Sequence, residues 1–486
     1  MSALGSFLIY SLILIGIGIY AYRAIQKTSL DRFVEEFYAG GRALGSVVVA
    51  VLIAAGLASA GTFIAGPGMC YEYGLSWVHL NNLQTFMNLL LLGVIGIPVG
   101  ISARRVKAAT FLDLIKARYK SRILVILLAL ITFILLVPYM STQFVGAARV
   151  IVQMTGVKYI TALMLGVLVV VVYTVAGGMK GNTLALIVQG VVMTVGAIVL
   201  LIGTIVASGG TMNATKTIVA QNISLLTPTG PGDEFGISIG ISLAGMIGFF
   251  IVGMPHAILG ALSYKNTIAL KRGIWIGAVL VFVWTFFLCL AGTLGRALIP
   301  NLEVADEIAP WLAMQVLPGW LAGVVLAGIV AGIQTTVASM ALVVSSAVAK
   351  NLVEEIRPEV SASSMRSISR WVTVGSLTIA ALLAITEPPL IQWIILFSIG
   401  GLESGCFALI LLGLYWRRGN STGALCSLIA GIAWYALGNY IPCLTLGFLP
   451  AISAVVISVI IYIIVSLLTE PPSSKVISIF FGSSDY

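Results

Sequence analysis

The sequence predicts an all-α polytopic membrane protein of 13 transmembrane helices, with two inverted halves of five spans and a broken first helix in each. Three observations predict it. The first is a shortage of charge: 9% of the 486 residues are Asp, Glu, Lys or Arg, against about 25% in soluble domains. With 59% hydrophobic residues, the chain cannot clothe a soluble surface. A cytosolic enzyme and a disordered chain are excluded, and the net charge of +9 does not by itself ask for a nucleic-acid partner. The second observation is a series of thirteen apolar stretches, each near the ~20 residues that cross a bilayer. The third is the placing of the basic residues between them.

In chain order the stretches are 4–22, 46–70, 76–102, 122–154, 158–178, 183–208, 235–262, 272–299, 319–349, 369–386, 389–416, 422–443 and 447–468. The first is long for the apolar core of a cleaved signal and has no basic residue ahead of it, so it reads as a retained helix. With the N-terminus outside, the cytoplasmic loops receive 22 of the 26 Lys and Arg. They begin with Arg23, Lys27, Arg32 and Arg42 and continue through a cluster at 104–122. The outer loops receive only Arg149, Lys158, Lys216 and Arg296. That asymmetry is the positive-inside rule. It places the C-terminus inside, accounts for the net charge, and implies a multi-pass protein of the plasma (cytoplasmic) membrane.

Two spans are unlike the rest. The second carries Ala54-Ala55-Gly56-Leu57-Ala58-Ser59-Ala60-Gly61-Thr62 and then Gly66-Pro67-Gly68. The seventh carries Gly245, Gly248, Gly253, Met254, Pro255 and His256. Gly weakens a helix, and Pro removes one of its hydrogen bonds. Backbone freed at membrane depth is tolerated where it lines a cavity. These spans lie five apart and run in opposite senses, as the first helices of two inverted repeats do. The chain then divides into 1–45 (first helix and cytoplasmic loop), 46–208 (first repeat), 209–234 (extracellular loop), 235–416 (second repeat) and 417–486 (last two spans and tail). Helix packing through small residues, or a plain proline kink, is the alternative for either span alone.

The ninth span supplies Gly332, Thr335, Thr336 and Ser339. Such hydroxyls often bond back to the preceding turn. A Gly beside paired Thr can instead offer a carbonyl and two hydroxyl oxygens to a hard cation, with unwound carbonyls of the second span completing the shell. The five cysteines form no metal-ligand or CxxC spacing and read as small buried hydrophobes. Of the two histidines, His256 follows the second break and either faces a cavity or satisfies a helix end; His79 reads as structural. Glu403, a carboxylate inside the eleventh span, is either functional or part of a polar network. Asp113, among Lys116, Arg118 and Lys120, reads as part of a solvated cytoplasmic helix, and Glu72 as solvated at a span end. No hydrolase, Walker or zinc-protease motif occurs.

At these residues the chain resembles the sodium/solute symporter family, most closely its sodium/pantothenate branch. The matching stretches include Phe63–Gly68 with Tyr71-Glu72-Tyr73-Gly74-Leu75-Ser76-Trp77-Val78, Gln143-Phe144-Val145-Gly146-Ala147-Ala148-Arg149, and Tyr173-Thr174-Val175-Ala176-Gly177-Gly178-Met179. Pro255-His256, Gly292-Thr293-Leu294-Gly295-Arg296 and Gly400-Gly401-Leu402-Glu403 continue the match. The resemblance implies a LeuT-like 5+5 inverted-repeat core and Na+ as coupling ion, with no organic cofactor. It places sodium on the carbonyls of Ala55, Ala58 and Gly332 and the hydroxyls of Thr335 and Thr336. It places an organic substrate among Ser59, Thr62, Asn81, Gln84, Gln143, Met254 and His256. Three positions depart from the family: Leu186 stands near where an Asp is common, Gly260 where an Arg is common, and Gly181 where the signature usually ends in Ala or Ser.

The function expected is sodium-coupled import of a small organic solute, a carboxylate such as pantothenate. Its substrate carboxylate would meet backbone N–H groups freed at 59–62, where a half-helix begins. Another monocarboxylate or an amino acid, or proton coupling, is the alternative within the class. A passive channel, a transporter-fold sensor and a membrane enzyme are the alternatives outside it. The expected partners are the substrate and the lipid bilayer, with no nucleic acid and no obligatory protein partner.

Overall fold

The computed structural model describes residues 2–26, 38, 44–85, 91–357, 359–388 and 390–482. Lys27, Arg32 and Arg42 of the basic count, and 86–90 of the third expected span, lie outside the described residues. The described chain is all helical apart from one isolated bridge, Leu44 to Tyr264. Among the described residues nine helices are long and apolar enough to cross a membrane, or eleven if each of two bent pairs is one span.

Two expected spans stand apart from that set. The third is covered by Leu75–Asn82, then Leu91–Gly96 and Ile97–Arg105 on the far side of 86–90. The fifth appears as a shorter apolar helix, Tyr159–Val171, while the sixth, Thr183–Ala207, is one of the nine; helical hydrogen bonding runs through both, Tyr159–Ala207, 49 residues. The expected junction holds Gly177, Gly178, Met179, Lys180, Gly181 and Asn182 but no proline, so nothing there removes an N–H donor from the ladder. A straight helix of that length would reach ~70 Å. Instead Gly166 lies against Ala147 and Ile151, and Gly203 against Val316 and Leu317.

The centre of the bundle is the helix Gly319–Ser345. Its apolar window is 89% buried, whereas that of the first helix is 33% buried. Small residues allow this depth. A Cβ on Gly323 would sit 2.2 Å from the Ala3 carbonyl oxygen, and one on Gly328 2.7 Å from that of Val192. Gln392–Tyr415 is the second buried helix, at 83%. The peripheral helices turn Leu, Ile and Val outward, as a lipid-facing surface requires.

Both expected breaks are present. Ser46–Gly56 and Gly61–Tyr73 meet at 68°, and Ile237–Gly253 and Pro255–Ser263 at 59°. Beyond the first pair, Gly74 has φ +70, and a Cβ there would lie 1.8 Å from the Leu225 carbonyl oxygen, so only glycine fits the turn.

The connections hold more structure than their composition suggests. Segment 209–234 contains the helix Thr211–Gln221, segment 300–318 contains Ile308–Val316, and the tail forms the amphipathic helix Ser474–Phe481. Asp113 is not merely solvated. Its carboxylate accepts from the backbone N–H of Ala109 and Thr110 at the start of Phe111–Tyr119. It also pairs with Lys350 at 2.5 Å and accepts from Asn351. A helix N-terminus draws a carboxylate in this way. Cys70, Cys289 and Cys406 are buried as expected, but Cys426 is only partly so and Cys443 is exposed. Cys443 sits in the turn Pro442–Thr445 between the last two long helices, where no neighbouring element covers it.

Candidate functional site

The first break begins at Ala58, whose backbone is extended at φ −79, ψ 90. Helical bonding stops there, leaving the carbonyls of Ala55 and Ala58 without their usual donors. Thr336 fills the gap. Its hydroxyl donates to Ala55 O at 2.9 Å, with Ala58 O at 3.3 Å and its own-helix Gly332 O at 3.2 Å. Thr335 lies 2.8 Å from Gly332 O and 3.3 Å from Ala55 O. Five oxygens from Ala55, Ala58, Gly332, Thr335 and Thr336 thus converge, all buried. Neighbouring ligands of a hard cation held at about 2.3–2.6 Å lie little farther apart than this. The donor set is neutral and all oxygen, which suits a monovalent hard ion. Among the described residues no group of three or more His, Cys, Asp or Glu stands anywhere in the chain to offer a metal site of another kind.

The N–H groups after the break are not free. Ala60 N donates to Gln143 Oε1 at 2.7 Å, Gly61 N to Ser59 Oγ at 3.0 Å, and Thr62 N to Ser59 O at 2.8 Å. For Ala60, Gly61 and Thr62 this corrects the expectation that 59–62 presents bare N–H groups to a carboxylate. Buried donors without partners cost too much to leave open, and here the chain supplies the partners itself. Gln143 thus braces the break, and it is not among the residues that line the cavity beyond it.

Beyond the break lies a closed cavity of about 30 Å³ between Ser59, Thr62, Gln84, Tyr139, Met254, His256, Gln392 and the aliphatic groups of Ile247, Ile251, Ile395, Leu396 and Ile399. Of the seven expected substrate residues, Ser59, Thr62, Gln84, Met254 and His256 meet here. Asn81 stands behind Gln84: its side-chain oxygen accepts from Gln84, and its Nδ2 donates to Cys289 Sγ at 3.0 Å. Gln84 in turn accepts from Thr62 Oγ1 at 3.1 Å. Tyr139 and Gln392 escaped the sequence reading. Tyr139 follows Pro138 inside the long helix Arg122–Thr155; its hydroxyl lies 3.2 Å from Ser59 Oγ and its ring stands edge-on to His256. His256 Nδ1 and Gln392 Oε1 are buried with no partner among the described residues. His79 is exposed and away from the cavity, and Glu72 is exposed.

The cavity is far below the 300 Å³ or more of ordinary ligand pockets, so the helices around it must part to admit an organic solute. Its polar lining is neutral. A larger hollow of about 1050 Å³, against Val353, Arg357 and Ser361, has neither break beside it.

Two of the three departures from the family pattern have a local account. A Cβ on Gly260 would stand 2.2 Å from Ile53 Cγ1, so the second half of one broken helix packs directly on the first half of the other. Leu186 is wholly buried. One turn on, the Gln189 amide is buried with neither atom partnered among the described residues.

At one rim Arg149, counted in the sequence as an outer-loop charge, is buried against Asp306. Arg149 Nη1 lies 2.7 Å from Asp306 Oδ2, which also accepts from Ile391 N at 3.1 Å. Arg149 Nη2 donates to Pro388 O. Burial pushes the Asp306 carboxyl up to about 6, against the opposing pull of Arg149. The pair clasps the end of Arg122–Thr155 to the approach of Gln392–Tyr415.

A family model described as the sodium:solute symporter family matches residues 37–431. The chain is 36% identical to the sodium/pantothenate symporter of Escherichia coli, over 94% of each chain. It is 35% identical to that of Haemophilus influenzae, over 95% of this chain and 96% of the relative. The osmoregulated proline transporter of Bacillus subtilis is 28% identical over 97% and 96%. Among solved structures, a substrate-bound, outward-open Na+-coupled sialic acid symporter superposes with TM-score 0.80 at 18% identity, covering 97% of this chain and 98% of that one. At that identity the likeness concerns the fold.

Proposed function

From a chain that belongs to the sodium:solute symporter family, we propose a sodium-coupled symporter that imports pantothenate. The observation that carries the reading is the shared break at Ala58-Ser59. One side of it supplies carbonyls to the five-oxygen cradle, and the other opens onto the cavity. Sodium in the cradle, held by Ala55, Ala58, Gly332, Thr335 and Thr336, would tie Gly319–Ser345 to the broken helix and fix the cavity wall. An ion and a solute that share one backbone segment favour each other's binding, because each orders what the other needs.

The neutral lining suits the substrate class. Pantothenate carries a carboxylate, an amide and two hydroxyls. Ser59, Thr62, Gln84, Tyr139, His256 and Gln392 offer donors and acceptors for the amide and hydroxyls, and Met254 packs the carbon chain. Among the described residues no Lys or Arg lines the cavity, so the carboxylate is balanced by the bound sodium and by dipoles. At an inside-negative potential each Na+ gains about 2.3 kcal/mol per 100 mV and the pantothenate anion loses as much, so one Na+ per anion is driven by the sodium gradient alone and the potential adds to accumulation only through a second Na+.

The wider architecture belongs to the same proposal. Residues 46–208 and 235–416 form the two inverted repeats of a LeuT-like core within 13 spans. Segments 1–45, 209–234 and 417–486 are the flanking helix, outer loop and final spans. The N-terminus is outside and the C-terminus inside, as the 22 to 4 division of basic residues asks. The matched breaks at 68° and 59° support the repeat. Uptake into proteoliposomes tests the function, with labelled pantothenate, proline and short monocarboxylates offered with and without an inward Na+ gradient. Pantothenate accumulation that collapses without sodium is expected; accumulation indifferent to sodium, or none for pantothenate, refutes the reading.

A further inference from the structure

Glu403 has no part in the cradle or the cavity. It lies in the middle of Gln392–Tyr415, wholly buried, and neither carboxylate oxygen has a hydrogen-bond partner among the described residues. Its position is specific. Gln392, Ile395, Leu396 and Ile399 of the same helix line the cavity, and Glu403 follows Ile399 by one turn on that stripe. One further turn brings Phe407, whose ring stands 5.5 Å from Phe249 and 5.0 Å from Phe250. Gly253, the last residue before the second break, packs on the backbone of both: a Cβ there would lie 2.9 Å from Glu403 Cα and 3.0 Å from Phe407 N. Glu403 therefore sits between the cavity and a cluster of three phenylalanines, beside the break where the second broken helix bends.

Among the described residues the basic groups that reach this helix do so at its ends, Arg118 at Gly413 O and Arg149 at Pro388 O. Tyr139 on one side and Tyr435 on the other are the titratable groups that interact with Glu403, and Cys406 is buried on the same helix. The remaining neighbours, Leu135, Ile432, Leu428 and the phenylalanines, are apolar. A bare carboxylate in such a place is prohibitively costly. A proton satisfies the site with no further ligand.

We infer that Glu403 is a proton-binding site on the inward route from the cavity, and that the closed packing of Glu403, Gly253 and Phe407 forms only when a proton is bound there. The carboxylate takes one H+ from water when the helices part and returns it when they part again; no other bond changes. The conformational cycle then senses pH although sodium drives it. This rests on the transporter reading for its transport arm only.

The experiment uses the full chain reconstituted in liposomes, with infrared difference spectroscopy of the protonated-acid C=O band and labelled pantothenate uptake as separate readouts. A pH-dependent band present in the native chain and missing in Glu403→Gln is expected. Uptake by the native chain should change by about tenfold per pH unit on the limb where proton occupancy limits the cycle, and that limb should be flat in Glu403→Gln. Should Glu403→Gln fail to fold, Glu403→Asp must shift the band. A band that neither variant alters, or a pH limb retained in Glu403→Gln, overturns the inference. If the native chain takes up no pantothenate, the proposed substrate falls and the infrared result still decides Glu403.

Discussion

Replacing Thr336 with valine removes one oxygen from the cradle and almost no volume. In the structure that hydroxyl is the tie between the two helices: it reaches Ala55 O at 2.9 Å and lies within 3.3 Å of Ala58 O. Thr335 is placed differently. Its stronger bond, 2.8 Å, goes to Gly332 in its own helix, and its reach across to Ala55 is 3.3 Å. Thr336→Val therefore leaves Ala58 O without its hydroxyl donor and Ala55 O with only the 3.3 Å approach of Thr335, and it removes a ligand when sodium is present. Losing a partner of a buried polar group costs about 1–3 kcal/mol, or roughly 5–150-fold in sodium affinity. Thr335→Val should cost less, near the lower bound. Thr336→Ser keeps the hydroxyl and should stay close to native. The assay is the sodium concentration for half-maximal solute uptake in proteoliposomes, checked by 22Na+ binding to detergent-solubilised protein. If Thr336→Val requires no more sodium than native, or if Thr335→Val is the more damaging of the two, the cradle is not the ion site.

Gln143→Leu takes the acceptor from Ala60 N and should lower thermal stability by about 1–3 kcal/mol; Gln143→Glu, which keeps an acceptor, should recover most of it by the same calorimetric measurement. Gly260→Ala forces a methyl into Ile53; overpacking of about 1–3 kcal/mol should be relieved by adding Ile53→Ala, and a double-mutant cycle with no coupling would contradict the contact. For Asp306 the folded value of about 6 lies above the ordinary 3.8, so folding takes up a proton between them. Its contribution makes stability fall as pH rises from 3.8 to about 6 and level off above. Asp306→Asn should lack that slope in melting temperature against pH, and an unchanged slope would assign it to other groups.

The sequence disclosed the architecture wherever composition and backbone chemistry coincide. Gly, Ala and Pro inside the second and seventh spans announced both breaks, and Gly332 with Thr335 and Thr336 announced the oxygens that face the first. What stayed hidden depends on tertiary approach. Tyr139 and Gln143 are one turn apart on the same helix, yet one lines the cavity and the other braces the break. No local signal separates them. Asn81 and Gln84 share a helix face, but only Gln84 reaches the cavity. Arg149 and Asp306 are 157 residues apart, and each looks like an ordinary loop charge until the fold joins them. At the junction between the fifth and sixth expected spans the glycines suggest a loop, yet helical hydrogen bonding continues through it without a proline to end it, and Thr183–Ala207 still has the length and apolarity of a span.

The uneven burial of the cysteines has a practical consequence. Cys443 is exposed on the turn after Ser421–Tyr440, while Cys70, Cys289 and Cys406 are sealed inside and Cys426 is partly covered. A bulky membrane-impermeant maleimide should thus conjugate the unmodified chain foremost at one sulfur. In the proposed topology, with the N-terminus outside, that sulfur would face the exterior, so intact cells should be labelled as fast as broken ones, and Cys443→Ser should abolish the signal. The same thiol gives a native attachment point for a fluorophore or a surface tether, away from the cradle and the cavity, from which the parting of the helices can be watched.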